Sequence, residues 1–164
     1  MARFQSRVKR TRRGDFQLRL PSGERELLRG LPGQLRDVLG TGDPSLFRLS
    51  PPAYEDDPAR NAEYTELVGD DLMASRRRSL DLMEATIDAE RLDEEQLVAW
   101  MGALNDLRLV LGSRLDVTEE TYDRPPSPSD PNARVFAVFV YLGWLEEQIV
   151  EALASGLDPD GTEG

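Results

Sequence analysis

Apolar residues fall along this chain in two rhythms. Phe4, Val8, Phe16, Leu18 and Leu20 stand at even spacings among polar neighbours. Alternation of this kind, interrupted by Arg12-Arg13-Gly14-Asp15, predicts a β-hairpin with strands near residues 3–10 and 15–20. Beyond it the rhythm turns helical. Leu27, Leu28, Leu31, Leu35, Val38 and Leu39 recur at three- and four-residue steps. Ser22 is the expected N-cap, and Glu24 and Glu26 suit the positive helix start. Pro32 is expected to kink or divide this helix near Leu31.

Residues 45–58 carry Pro51, Pro52 and Pro58, which argues against an ordered helix there. Leu46, Phe47, Leu49 and Tyr54 are apolar enough to pin the loop to the body. Asp57-Pro58 pairs a cap with proline at the first helical position and opens a long helix. Its buried side is marked by Tyr64, Leu67, Val68, Leu72, Met73, Leu80, Met83 and Ile87, and Gly69 is a place to bend or split it. Asp93 and Gln96 spell a capping box. Behind it Leu97, Trp100, Met101, Leu104, Leu107, Leu111 and Leu115 advance by three or four, to about Asp116. Residues 117–129 are acidic and then proline-rich, an exposed loop. Asp130-Pro131 is the expected cap of a last helix over residues 135–153. That helix is apolar nearly all round, as suits the centre of a bundle or an interface.

These elements predict a mainly α fold of the α+β kind: a bundle of about five helices with a short N-terminal β-hairpin. A single domain is expected over residues 1–155, with the hairpin at 3–20 and the helical body at 22–155. Residues 156–164 read as a disordered polar tail. Trp100, Leu104 and Leu107 are expected to meet Phe139, Leu142 and Leu145, the two most apolar helical faces. The last helix has more apolar surface than one neighbour can cover, so a homodimer is expected.

Composition narrows the chemistry. The 164 residues contain no Cys and no His. That removes disulfides, thiolate metal sites and hydrolases or phosphorelays built on His or Cys. No glycine-rich phosphate loop or nucleophile elbow occurs. Acid clusters such as Asp93-Glu94-Glu95 stand at helix starts, where the dipole already accounts for them. We therefore expect no enzyme, no cofactor and no metal. The longest apolar run, residues 135–142, is too short to span a membrane. The basic N-terminus lacks an apolar signal core, and the cytoplasm is the expected compartment.

Charge is divided unevenly. Residues 1–38 hold ten Lys+Arg against four acids, a net of +6, which leaves −17 on the rest of a chain at −11. One end suits an acidic partner and the remainder repels nucleic acid. The candidate partner-binding residues are Arg7, Lys9, Arg10, Arg12 and Arg13, which could grip phosphates as a ribbon or wing does. Two blander readings compete: a solvated edge that discourages strand pairing, and docking on the protein's own acidic helices. A second constellation, Arg76, Asp106, Arg108 and Arg114, is expected to form a structural ion network between the two middle helices.

Four segments carry a family resemblance. They are Gly69-Asp70-Asp71-Leu72-Met73-Ala74-Ser75-Arg76, Leu92-Asp93-Glu94-Glu95-Gln96-Leu97, the stretch from Leu104-Asn105-Asp106-Leu107-Arg108 through Arg114-Leu115-Asp116-Val117, and Tyr141-Leu142-Gly143-Trp144-Leu145. Together they resemble an actinobacterial family, long without an assigned function, described as oxidative-stress regulators of the AosR type. The single Lys against 19 Arg agrees with such a GC-rich source. The resemblance implies a non-enzymatic transcriptional regulator acting with an alternative sigma factor, hence a protein partner such as RNA polymerase or the sigma factor. DNA contact through the basic hairpin is a further expectation. The redox switch ascribed to a cysteine pair in the regulator has no counterpart in a chain without Cys. The alternative function is a protein-binding adaptor or scaffold without nucleic-acid contact, using an apolar groove beside the last helix.

Overall fold

The computed structural model describes residues 6–39, 41, 43–49, 56–116, 118, 120–121 and 124–156. Among the described residues it is mainly α, with five helices and a small antiparallel sheet at the N-terminal end. Strand β1 (Val8–Arg10) pairs with β2 (Phe16–Leu18) in the expected hairpin, though both strands are shorter than the alternation suggested. Gly14 adopts φ +87 in the turn, a region that L side chains avoid. The turn closes with the Thr11 N–H donating to Asp15 O at 2.8 Å and the Gly14 N–H to Thr11 O at 3.1 Å.

Helix α1 (Ser22–Arg29) and α2 (Leu31–Val38) are separate, with Gly30 between them and Pro32 in the first turn of α2. The division expected at Leu31 is therefore real. Ser22 is not the cap. Pro21 occupies that position, without a side-chain bond, and Ser22 is the first helical residue. A 3-10 helix over Pro44–Leu49 packs on the bundle where a plain loop was expected, with Leu49 buried and Leu46 against the core. The side chain of Phe47, and Tyr54 entirely, lie outside the described residues.

Helix α3 (Pro58–Ala85) is continuous through Gly69. The Asp57 carboxylate caps it by accepting the Arg60 N–H at 3.1 Å. After α3 the chain forms a third strand, β3 (Arg91–Leu92), which extends the hairpin to a sheet of order β1-β2-β3. Helix α4 (Glu94–Leu115) opens with the expected capping box. Asp93 accepts the Gln96 N–H at 2.7 Å and Gln96 accepts the Asp93 N–H at 2.9 Å. It ends where Asp116 turns left-handed at φ 51.

The last helix, α5 (Ala133–Ala154), covers the expected residues 135–153, but Asp130 does not cap it. Asp130 accepts the Asn132 N–H at 2.8 Å and so closes a turn, and the helix begins after Asn132 with no side-chain cap. Of the expected tail, everything beyond residue 156 lies outside the described residues. α4 and α5 pack on each other more extensively than any other pair of elements. Trp100, Leu104, Leu107, Leu142 and Leu145 share one core, and Phe139 is buried as well. The Trp100 indole N–H donates to Thr86 Oγ1 at 2.7 Å, so this fully buried ring leaves no donor unsatisfied. Among the described residues, no helix is long and apolar enough to cross a membrane.

Candidate partner-binding surface

Sheet register decides which basic residues meet solvent. Arg10, Phe16 and Leu92 lie in one row across the three strands, and Lys9, Gln17 and Arg91 in the next. Side chains alternate across a strand. Val8, Phe16, Leu18 and Leu92 are buried, so their rows face the core. The row of Lys9, Gln17 and Arg91 faces out, with Lys9 exposed and the Arg91 side chain 57% accessible. Arg12 and Arg13 are exposed in the hairpin turn. Arg19, just past β2, is exposed and donates to Gln17 Oε1 at 3.1 and 2.8 Å, which extends the outward row. The outer side of the sheet thus presents Lys9, Arg19 and Arg91, and Arg12 and Arg13 stand exposed in the adjoining turn. The acids beside it include Asp15, 3.8 Å from Arg91 and bonded to the Thr11 hydroxyl, and the exposed Glu90.

Arg7 and Arg10 are turned inward. The Arg7 guanidinium forks onto Glu24 of α1, with Nε at 3.1 and 3.2 Å and Nη2 at 2.9 Å from its oxygens. It also lies 5.3 Å from the centre of the Trp144 ring. The Tyr141 hydroxyl donates to the same Glu24 at 2.7 Å. Burial pushes the Glu24 carboxyl up, but Arg7 and Tyr141 together outweigh it and hold it below the ordinary carboxylate range. Burial, then the neighbouring Glu24, push the Tyr141 phenol above its ordinary range. The Arg7 backbone N–H donates to Gln148 Oε1 at 2.6 Å. Further along β1, Arg10 stacks 4.7 Å from the Phe16 ring and donates to Leu153 O at 3.1 Å, near the negative end of α5. The strand is thus fastened along α5 at both ends. Of the five cations expected to meet a partner, Lys9, Arg12 and Arg13 are outward, and Arg7 and Arg10 grip the protein's own helices.

Arg19 and Arg91 join the outward set although the sequence pattern singled out neither. Arg91 reaches the face only through β3, a two-residue strand too short to show alternation. Its one signal is position: Arg91-Leu92 directly precedes the capping box.

The second constellation divides into two pairs. Arg76 of α3 stands 3.5 Å from Asp106 of α4, both largely buried, and Arg76 also donates to Leu49 O. Arg108 instead crosses to α5, 3.2 Å from Glu146, and its guanidinium covers Gly143, where a Cβ would lie 3.2 Å from Nε. Arg114 lines a small cleft with Leu31, Leu35 and Val38 of α2, and no carboxylate pairs with it among the described residues. Burial pushes the Asp106 carboxyl up, Arg76 opposes this, and the charge of Glu146 adds to it. Among the described residues, Asp106 is the one charged residue that is buried. Among the described residues, no group of three or more acids converges as metal ligands would.

The family model described as a domain of unknown function (DUF2017) matches residues 1–153. The oxidative stress regulators AosR of Mycobacterium bovis and Mycobacterium tuberculosis are each 32% identical over 151 residues, covering 81% of this chain and 67% of the relative. A putative oxidative stress regulator AosR of Mycobacterium leprae is 32% identical over 129 residues, covering 68% of this chain and 58% of its own length. No solved structure matches the chain.

Proposed function

The chain belongs to the DUF2017 family, and from that premise we propose a non-enzymatic regulator of transcription that meets a polyanion with the outer face of its sheet. Relatives named as oxidative stress regulators support the regulatory part of this reading. The observation that carries the rest is the exposed set of Lys9, Arg12, Arg13, Arg19 and Arg91 at the sheet and its turn, on a chain whose net charge is −11. The Lys9-Gln17-Arg91 row contains no aromatic or aliphatic side chain. Protein interfaces need an apolar centre, whereas phosphodiester backbones are held by charge and hydrogen bonds alone. The face therefore suits DNA phosphates better than a protein surface. An alternative sigma factor or RNA polymerase would be met elsewhere on the molecule. This chain has no cysteine, so it carries no cysteine redox switch.

A mobility-shift titration of duplex DNA at two salt concentrations tests the reading. Retardation should weaken steeply as salt rises. It should disappear in an Arg12→Glu/Arg13→Glu variant that melts like the parent. Equal retardation by parent and variant would exclude this face. The second reading, an adaptor without nucleic-acid contact, is favoured by the uncovered side of α5, where Val140 and Val150 are 45% and 47% exposed.

A further inference from the structure

The solvent side of α5 carries a heptad-spaced seam. Ala137, Trp144 and Glu151 stand seven residues apart, and Val140, Glu147 and Ala154 form a second such row beside them. None of the six is buried, whereas Leu142, Leu145 and Ile149 on the other side are fully buried. Trp144 stands between two shallow grooves. One, of about 540 Å³, opens toward Arg108 of α4, and the other, of about 550 Å³, opens toward Arg7 and Glu24. A helix ridge with a groove on each side is a surface that can receive the ridges of a second helix.

Charge decides what kind of helix. The ionisable groups of the seam are Glu147 and Glu151, both exposed, while the adjacent Glu146 is held by Arg108. We propose that this seam docks an amphipathic helix of a partner protein. Its apolar stripe lies over Val140 and Trp144, and arginine or lysine stands opposite Glu147 and Glu151. In a second copy of the chain the cations beside the seam, Arg7 and Arg108, are already held by Glu24 and Glu146. Parallel pairing sets Glu147 and Glu151 against their own copies. Antiparallel pairing over residues 137–144 lays Glu147 on the other copy's first turns, where the nearest cation, Arg134, lies about 100° round the helix from the seam. Covering an unpaired carboxylate opposes association, and a cation placed there turns the same group into an attraction. This surface is separate from the cationic sheet face, and the two proposals stand or fall independently.

The test uses two synthetic three-heptad peptides with one leucine-alanine stripe, differing only in arginine or glutamate at the positions facing Glu147 and Glu151. Trp100 is fully buried, so a blue shift of the full chain's fluorescence on titration reports Trp144, and a Trp144→Phe variant should lose it. The arginine peptide should bind at least about tenfold tighter than the glutamate peptide. Glu147→Lys with Glu151→Lys should reverse that order, which separates seam docking from diffuse attraction to an acidic chain. Val140→Asp, at an exposed position, should weaken the arginine peptide by about tenfold with an unchanged melting temperature. Equal affinity for the two peptides, binding that survives Val140→Asp, or a chain that sediments alone as a dimer with Trp144 already shielded would each overturn the proposal.

Discussion

Arg7 and Arg12 lie five residues apart and do different work, because one has found a carboxylate and a ring and the other stands exposed in the turn. Arg7→Ala removes a forked, largely shielded pair and leaves Glu24 without its cation. A loss of about 2 kcal/mol is expected in denaturant unfolding. Arg12→Ala, at an exposed site, should change stability by less than about 0.5 kcal/mol. The Glu24 and Asp106 carboxyls respond to pH with opposite sign. Glu24 has its folded-state affinity for protons lowered, so its stabilisation is full above its ordinary value of 4.5 and is lost as pH falls through the folded value. Asp106 has that affinity raised. Its effect favours the fold at or below its ordinary value of 3.8 and fades as pH rises through the folded value. Melting Glu24→Gln and Asp106→Asn across the acid range should therefore show the wild-type acid loss flattened in the first. In the second, the destabilisation of wild type with rising pH should be absent. Asp106→Ala is a harsher change, since it strands Arg76 in a largely buried site, and about 3 kcal/mol is expected.

At the scale of elements, local chemistry and long-range pairing separate cleanly. The Asp93–Gln96 box, the Asp57-Pro58 start and the break at Pro32 all act within a few residues, and all were legible in the sequence. Asp93→Ala should cost about 1 kcal/mol, read as a lower midpoint of unfolding. Asp130-Pro131 resembled a cap, but a carboxylate can also close a turn, and nothing in the sequence distinguishes the two uses. Strand β3 was invisible because Arg91-Leu92 is a strand only by pairing with Phe16 and Gln17, over seventy residues away. For the same reason, the charge run of the hairpin was legible as a basic surface, but its inward and outward members were not. Arg7 and Arg10 are removed from that surface by Glu24 and by the end of α5, which the fold alone brings to them. Arg76 and Arg108 were legible as partners in ion pairs. That Arg108 reaches Glu146 on α5 depends on the packing of α4 against α5.

At the scale of the molecule, the fold concentrates cations on one side of a small sheet while the chain as a whole is strongly acidic. Fastening β1 along α5 makes the hairpin a rigid presenter, so binding there should not require ordering a loop. The small footprint also limits affinity, because five side chains can neutralise at most a few phosphates. The most direct measurement is the dependence of duplex-DNA affinity on salt, for the wild-type chain and for a Lys9→Gln/Arg12→Gln/Arg13→Gln variant. The account predicts a wild-type slope of log K against log salt no steeper than about −4.5, and a slope shallower by about 2.7 in the variant. The variant should melt at the wild-type temperature. No binding at low salt, or a slope that the three substitutions leave unchanged, would contradict it.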